Sequence, residues 1–447
     1  MHYFLILHKF LLVNRSILKL AIPNIISNIT VPLLGLVDMM LMGHLESPIY
    51  IGAIALGGTI FSVMYSFFSF LRAGTTGFTA QAYGGNDFSE MSYSLYRSVM
   101  IALLASLLIL GVQNPIAKLS VILLNGSNEV KSLAISYFYV RIWAAPANML
   151  LFCFNGWYIG MQNTKIPMII AIIINVLNII FSIFFVVVMK QDVVGVALGT
   201  VIAQYCGLAT AVVFFFTKYK KHFIKINTLI LFNINKLKRF FKVNTDFMIR
   251  SILLVFTIAF FTNQSAKLGD EILSINMILL QLFYIFAYFT DGFAYAGEAL
   301  VGKFIGARDK ENLRSVVWHL FQWGAYITVP FVILYALFPT TFVKIISDNA
   351  EIISEIRPYY IYMVLLPITT FIAFIWDGIY IGATASRAIR NTMIISSIVV
   401  FFPLWYLLTP LYSNHGLWIA FLGFMLARGV SMTITAKKSI LQILDNQ

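Results

Sequence analysis

Long apolar runs separated by short polar segments recur along the whole chain. A helix needs about 20 mainly apolar residues to cross the hydrocarbon core of a bilayer, and twelve runs of that order can be drawn. The pattern therefore predicts an all-α integral membrane protein. The predicted spans are Ile17–Met42, Tyr50–Tyr83, Tyr93–Val112, Leu133–Ile159, Pro167–Met189, Val193–Thr217, Phe247–Leu268, Ile272–Val301, Val316–Phe338, Tyr359–Ile381, Met393–Leu411 and Leu417–Ile434.

A basic segment between the sixth and seventh runs divides the chain into two halves of six spans. An even number of crossings gives both halves the same orientation, related by a pseudo-two-fold axis along the membrane normal. The predicted organisation is a cytoplasmic interfacial N-terminus (1–16), an N-lobe (17–217), a basic cytoplasmic linker (218–246), a C-lobe (247–434) and a cytoplasmic tail (435–447).

An internal match supports two equivalent halves. The hexamer that runs from Asn155 to Gly160 matches the hexamer from Asp377 to Gly382 at four positions, at an offset of 222 residues. Self-similarity at a fixed offset is the mark of a structural repeat. The same offset pairs Gly84 with Gly306 and Asp87 with Asp309.

The composition agrees with a membrane protein and excludes other classes. Hydrophobic residues make up 60% of the chain and charged residues only 11%, against about 25% charged in a soluble domain. Disorder and coiled coil need more polar residues than this. Both cysteines lie within apolar runs, which excludes an extracellular disulfide scaffold.

The net charge of +13 would point to nucleic acid in a soluble protein. Here most Lys and Arg residues fall on one side of the twelve-span arrangement, as the positive-inside rule predicts for cytoplasmic loops. We therefore expect both termini in the cytoplasm of the cell (inner) membrane and no nucleic-acid partner.

Signals for catalysis are missing from the sequence. The six histidines form no metal-binding spacing, and no Walker phosphate loop occurs. A membrane-embedded lipid enzyme, a rival from another class, would need a nucleophile, a metal or a His/Asp set that the sequence does not offer. We expect no enzyme activity, no metal and no cofactor. Transport driven by an ion gradient remains, with H⁺ or Na⁺ as the coupling ion.

Ionisable residues inside spans are functional candidates because charge near a bilayer centre is costly. The first predicted span carries Asp38 on the far side of Pro23 and Pro32, which predicts a bendable, hydrated helix with Pro23 as a hinge. The alternative is a kinked packing helix whose acid reaches the interface. Asp246 opens the seventh predicted span, where a charge costs little, and is discounted.

The C-lobe contributes a second group of acids, Asp291, Glu298 and Asp377, as a candidate substrate or ion site. Asp291 and Glu298 are seven residues apart and share roughly one helix face. The structural alternative is that Asp291 and Glu298 bond to neighbouring helices or to Arg72 or Arg141, the two cations placed well within spans.

Spans five and six add neutral oxygen donors. Asn178 and Ser182 are four residues apart and share a helix face, and Thr200 lies on the next span. With Asp38 they make a candidate site for a proton or a small monovalent cation. Polar contacts between helices would look the same in sequence.

Several of these segments resemble the multidrug and toxic compound extrusion (MATE) transporters, in particular their DinF-like branch. The resemblance extends over all twelve spans. It implies two six-helix lobes around a central cavity that opens alternately to each side. The segments that carry it are Asp38-Met-Met-Leu-Met-Gly43, Ala73-Gly-Thr-Thr-Gly77, Asn155-Gly-Trp-Tyr-Ile-Gly-Met-Gln-Asn-Thr164, Asn175-Val-Leu-Asn178, Asp291-Gly-Phe-Ala-Tyr-Ala-Gly-Glu-Ala-Leu-Val-Gly302 and Asp377-Gly-Ile-Tyr-Ile-Gly-Ala-Thr384.

The resemblance also implies roles for particular residues. In the DinF-like branch an acid in span one, beyond a bending proline, carries ion coupling, and Asp38 and Pro23 occupy those positions. Span five of that branch has Asn and then Asp four residues later, whereas this chain has Asn178 and Ser182. Thr200 agrees with a further polar member of the site. The missing second acid argues against a Na⁺ site with two carboxylates and favours H⁺ as the coupling ion.

The sequence thus predicts a monomeric antiporter that exports amphipathic, cationic organic compounds by alternating access, coupled to inward H⁺ and less readily to Na⁺. A rival on the same superfold is a lipid-linked sugar flippase. Such flippases more often have fourteen spans and several cations in the cavity to hold a diphosphate.

Overall fold

The computed structural model describes residues 12–30, 49–123, 127–222, 224–225 and 227–440 of the 447-residue chain. Nearly all of these residues are helical, and no strand occurs among them, so the predicted all-α class is confirmed. The helices are α1 (12–30), α2 (Ile49–Phe68), α3 (Phe70–Gly84), α4 (Phe88–Gly111), α5 (Gln113–Leu123), α6 (Asn128–Arg141), α7 (Ala145–Gly160), α8 (Lys165–Ile183), α9 (Val193–Lys218), α10 (Thr228–Leu231), α11 (Ile234–Lys267), α12 (Asp270–Gly306), α13 (Lys310–Leu337), α14 (Pro339–Ile346), α15 (Ala350–Glu355), α16 (Tyr360–Gly382), α17 (Ser386–Ile394) and α18 (Phe402–Ser439).

Within the described ranges, nine helical stretches are long and apolar enough to cross a membrane. One of them, Ser386–Ser439, is 54 residues long and contains Ser413 in a non-helical conformation (φ 50°, ψ −127°). It therefore covers predicted spans eleven and twelve. Helices α6 and α7, joined by a short 3₁₀ turn, occupy predicted span four. Helix α1 covers the first part of predicted span one, and the rest of that span lies outside the described residues.

The chain forms two compact units. One extends to Ile25 and resumes at Phe240, and the other is Ile26–Arg239. Residues 12–16, expected at the interface, are the first turn of α1. Helix α11 begins at Ile234, so the second half of the expected linker is helical.

The two units repeat the same internal packing at the predicted offset of 222 residues. In one unit a Cβ added at Gly156 of α7 would overlap the backbone carbonyl of Arg72 on α3. In the other, a Cβ added at Gly378 of α16 would overlap the carbonyl of Ala294 on α12. The matched hexamers therefore mark equivalent close helix crossings. One turn later, a Cβ added at Gly160 would press on the carbonyl of Thr76, and a Cβ added at Gly382 would press on the carbonyl of Glu298.

The turns also repeat. Gly84 ends α3 and Gly306 ends α12. The side chain of Asp87 then accepts a hydrogen bond from the Glu90 amide (2.9 Å), and that of Asp309 accepts one from the amide three residues later (3.0 Å). Aspartate is a favoured residue at the start of a helix for this reason. The pairs noted in the sequence are equivalent helix ends and starts.

We expect Gly156→Ala to destabilise the protein by about 1–3 kcal/mol, because the new methyl group overlaps the Arg72 backbone and not a mobile side chain. Gly58→Ala on α2 is the matched control, since a Cβ there meets nothing within 4 Å and alanine favours a helix over glycine by about 0.5–1 kcal/mol. Thermal unfolding in detergent measures both variants. Equal unfolding temperatures for the two would contradict this packing.

Candidate ion-coupling site

Three of the predicted site residues meet between α8 and α9. The side-chain amide of Asn178 donates to the hydroxyl of Thr200 (2.8 Å), which in turn donates to the Val196 carbonyl (3.0 Å). Asn178 and Ser182 have no exposed surface, and Thr200 is 4% exposed. The structure thus brings together the neutral donors that the sequence placed on two separate spans.

Two glycines of α9 allow this close approach. A Cβ at Gly199 would lie 2.8 Å from both the backbone nitrogen and the hydroxyl of Ser182, and a Cβ at Gly207 would overlap the side chain of Ile174. Small residues let the backbones of membrane helices approach closely. The hydroxyl of Ser182 is consequently pressed against the α9 backbone.

The polar pocket formed by Asn178, Ser182 and Thr200 keeps unused capacity for hydrogen bonds. The Oδ1 atom of Asn178 and the Oγ atom of Ser182 are buried and have no partner within the described part of the chain. A buried polar atom without a partner costs about 1–3 kcal/mol. Directly after α8, Phe184–Val188 form a π-helical turn, a feature that is frequent at functional sites. These two oxygens can therefore each accept a hydrogen bond from a further donor.

Helix α1 reaches this neighbourhood through its last described turn. The side-chain amide of Asn175 on α8 donates to the carbonyl of Thr30 (3.2 Å). Asp38 itself lies in residues 31–48, outside the described part, so its predicted membership of the site stays a prediction.

Pro23 lies within the continuous helix α1, two residues before the division between the units. Proline has no amide hydrogen and cannot make the helical bond to the carbonyl four residues earlier. The same stretch packs tightly on α12, since a Cβ at Gly292 would overlap Ile25 and lie 3.0 Å from the Ala21 carbonyl. The turn of α1 that Pro23 weakens therefore packs closely on α12, next to Asp291.

In the unit that contains α11 to α18, Asp377 is bound by two arginines. Its Oδ2 atom accepts from Arg428 (2.6 Å) and from Arg250. Their side chains are 0% and 17% exposed and that of Asp377 is 6% exposed. The Arg428 guanidinium also stands over the rings of Phe374 and Phe424, at 5.9 and 5.5 Å. The carboxylate is neutralised inside the protein.

Asp246 corrects the sequence interpretation. It was discounted as a helix-terminal charge, but α11 begins at Ile234, so the residue lies well inside the helix and is 2% exposed. Its carboxylate accepts from Arg390 (2.6 Å) and from the hydroxyl of Ser386 (2.7 Å). Asp246 is therefore a buried, paired acid.

The other two C-lobe candidates lie on α12. Asp291 is half-buried and interacts electrostatically with Arg428, and Glu298 is 1% exposed, with its backbone against Gly382. The alternative partner Arg141 instead donates to the Tyr137 hydroxyl (2.5 Å) and stands over the Phe61 ring.

The sequence interpretation missed the buried arginines. It counted Arg97, Arg250, Arg390 and Arg428 with the loops, because each lies near a predicted span end. Arg97 is 1% exposed and donates to Glu90 (2.5 Å) and to the carbonyls of Ile230 and Leu231. The usable signal was that Arg97, Arg250 and Arg428 lie within predicted spans, Arg428 farthest from a span end.

The family model described as MatE matches this chain twice, at residues 23–184 and 247–407. The chain belongs to the MatE family. Its matches begin at equivalent places in the two halves, in agreement with the repeat. It is 34% identical over 419 residues to the DNA damage-inducible protein F of Escherichia coli, covering 94% of this chain and 91% of the relative. This supports the DinF-like branch.

A second relative of this MatE protein is less similar. The chain is 23% identical to a probable multidrug resistance protein, NorM, of Pasteurella multocida, covering 94% of this chain and 92% of NorM. Among solved structures, the Vibrio cholerae MATE transporter VcmN in its bent form superposes with a TM-score of 0.85 at 15% identity, covering 98% and 99% of the two chains. An outward-facing multidrug resistance MATE family transporter gives 0.83 at 19%, covering 97% of each. These structures confirm the two-lobe transporter fold.

Membership in the MatE family identifies the chain as a multi-pass membrane transporter of small compounds and not an enzyme. The expectations of a membrane protein and of transport are thereby confirmed at family level. The coupling ion and the substrate class are finer statements than the family provides.

Proposed function

We propose that this MatE transporter is a secondary active antiporter that exports amphipathic, cationic organic compounds, coupled to inward H⁺. The observation that supports it is the polar pocket between α8 and α9, where Asn178 and Ser182 keep unpaired buried oxygens. The proposal assigns Asp38 as the titrating group that uses these oxygens.

The paired acids of the other unit favour this assignment. If Asp377 took up a proton, Arg428 and Arg250 would lose their counter-charge in a buried place. Breaking a buried ion pair costs about 3–5 kcal/mol. The same holds for Asp246 and Arg390. Protonation of either acid is thus opposed, which favours Asp38 over Asp377 and Asp246 as the group that takes up and releases the proton.

The choice of H⁺ over Na⁺ follows from the ligands. A Na⁺ ion that sheds water needs several oxygens and is best held by more than one negative charge, whereas a proton needs one carboxylate in a poorly hydrated pocket. Asn178, Ser182 and Thr200 are all neutral. They contribute hydrogen bonds but no second charge.

The substrate class rests on relatives and composition. NorM of Pasteurella multocida carries the name of a probable multidrug resistance protein, and MepA of Staphylococcus aureus that of a multidrug export protein. Aromatic residues form 15% of the chain, which suits contacts with organic cations. The proposal includes a monomer in the inner cell membrane with both termini cytoplasmic, in line with the basic loops. Light scattering of the purified protein tests the monomer.

Reconstituted vesicles test the coupling ion. We expect export of a fluorescent organic cation when a pH gradient is imposed across proteoliposomes, and little export with a Na⁺ gradient alone. Protein-free liposomes under the same pH gradient correct for passive trapping of the cation. Strong dependence on Na⁺ with no response to pH would overturn H⁺ coupling and direct attention to Asp291 and Glu298.

Pro23→Ala should slow transport several-fold while leaving the fold intact. The alanine restores one backbone hydrogen bond in α1, so the helix loses its weak point beside the division of the units. Transport rates and unfolding temperature measured on the same preparations separate the two effects. Equal rates for the variant and the unmodified protein would count against a hinge at this residue.

A further inference from the structure

A groove of about 630 Å³ lies on the unit that contains α13, α16 and α18, between those three helices. We call it the α13 groove. Most of its wall is apolar or aromatic, and Arg314 is the one charged residue among the described residues that line it. The wall includes Arg314, Trp318, Phe321, Ala325, Trp376 and Thr433.

Two of the polar side chains in the wall, Trp376 and Thr433, are hydrogen-bonded to each other, and Gln322 is a third polar residue of the lining. The indole nitrogen of Trp376 donates to the Thr433 hydroxyl (2.8 Å), which donates to the Gly429 carbonyl (2.7 Å). The ring of Phe321 packs on Trp376 at 4.9 Å between centroids. The groove therefore presents mainly apolar surface, with a cation at one end.

The dimensions match half a bilayer. Arg314 is in the second turn of α13, and Ala325 marks the deep end of the groove on the same helix. Eleven residues of helix rise about 16 Å, close to half of the roughly 30 Å hydrocarbon core. Arg314 is exposed. It thus sits at the depth of lipid headgroups when the groove lies in one leaflet.

We propose that the α13 groove binds one anionic phospholipid, with an acyl chain along Trp318, Phe321 and Trp376 and the phosphate at Arg314. Charge complementarity selects an anionic headgroup, because a lone exposed guanidinium attracts phosphate and repels a cationic amphipath.

Fluorescence quenching in nanodiscs tests this. The probes are phosphatidylglycerol and phosphatidylcholine, both brominated on the acyl chains so that they quench nearby tryptophans. The emission of Trp318 is obtained by subtracting the emission of the Trp318→Phe variant from that of the unmodified protein. We expect phosphatidylglycerol to reach half-maximal quenching at about a fivefold lower mole fraction than phosphatidylcholine. This ratio corresponds to the roughly 1 kcal/mol that one cation near the membrane surface gains from anionic lipid. Ala325→Phe should weaken quenching by both lipids, because it fills the deep end.

Charge variants decide the role of Arg314. Arg314→Gln should remove the preference for phosphatidylglycerol and Arg314→Lys should keep it. Arg387→Gln, the same change at another exposed arginine, should also keep it. Equal quenching by the two lipids in the unmodified protein, or a preference that survives Arg314→Gln, would overturn the proposal. The organic cation tetraphenylphosphonium provides a further test. If it displaces the lipid equally well from the unmodified protein and from Arg314→Gln, the groove is part of a substrate path, and the lipid proposal is overturned.

Discussion

Replacing Asp377 with asparagine is expected to lower the free energy of unfolding by about 3–5 kcal/mol, because it leaves two arginines without a counter-charge in a buried place. Both Arg428 and Arg250 donate to the same carboxylate oxygen, and Arg428 has no exposed surface. Asparagine keeps the size of the side chain, so the loss reports charge and not packing. Denaturation in detergent micelles, followed by tryptophan fluorescence, measures it.

Asp87→Asn is the matched control for this change. Asp87 is exposed and accepts a backbone hydrogen bond at the start of α4, a role that asparagine fills equally well. A near-zero effect is expected there. A loss below about 1 kcal/mol at Asp377 would contradict the ion-pair account, and would return this acid to the candidates for ion coupling.

Adding a second change separates charge from geometry. Asp377→Asn combined with Arg428→Met removes a charge of each sign and fills the space with an apolar chain. We expect the double variant to recover much of the stability, since replacing a buried ion pair with apolar groups is often neutral or better. Additive losses would mean that Arg428 stabilises the fold through other contacts.

The fold was largely predictable from the sequence. Apolar runs of about 20 residues have few alternatives to membrane helices. The hexamers beginning at Asn155 and Asp377 also predicted the repeat correctly, because each contains two glycines four residues apart. Those glycines lie on one helix face, where a neighbouring backbone packs.

The ion pairs were not predictable in the same way. Arg250 and Arg428 pair with Asp377 across 127 and 51 residues of sequence, and no local pattern specifies partners at such distances. Counting cations by the nearer side of a span also places them in loops. Asp246 was misjudged because apolar length marks the lipid-facing part of a helix, whereas α11 continues for a further thirteen residues before Phe247.

Asp38→Asn is expected to abolish gradient-driven export while leaving insertion and folding unchanged. Asparagine has nearly the same shape but cannot exchange a proton, so a transport cycle coupled through this carboxylate stops. Asp87→Asn again serves as control and should transport normally. Export at the unmodified rate by Asp38→Asn would remove this residue from the coupling site.

The side chain at position 182 is expected to decide which ion the pocket prefers. Ser182→Asp places a second carboxylate beside Asn178 and Thr200, and two charges with neutral oxygens suit Na⁺ better than one. We expect Na⁺ to protect this variant, but not the unmodified protein, against thermal unfolding. Ser182→Asn is the neutral control, because it adds the same bulk against Gly199 without the charge. If Ser182→Asn gains the same Na⁺-dependent protection, that protection comes from altered packing of α8 on α9. The number of carboxylates would then not select the ion.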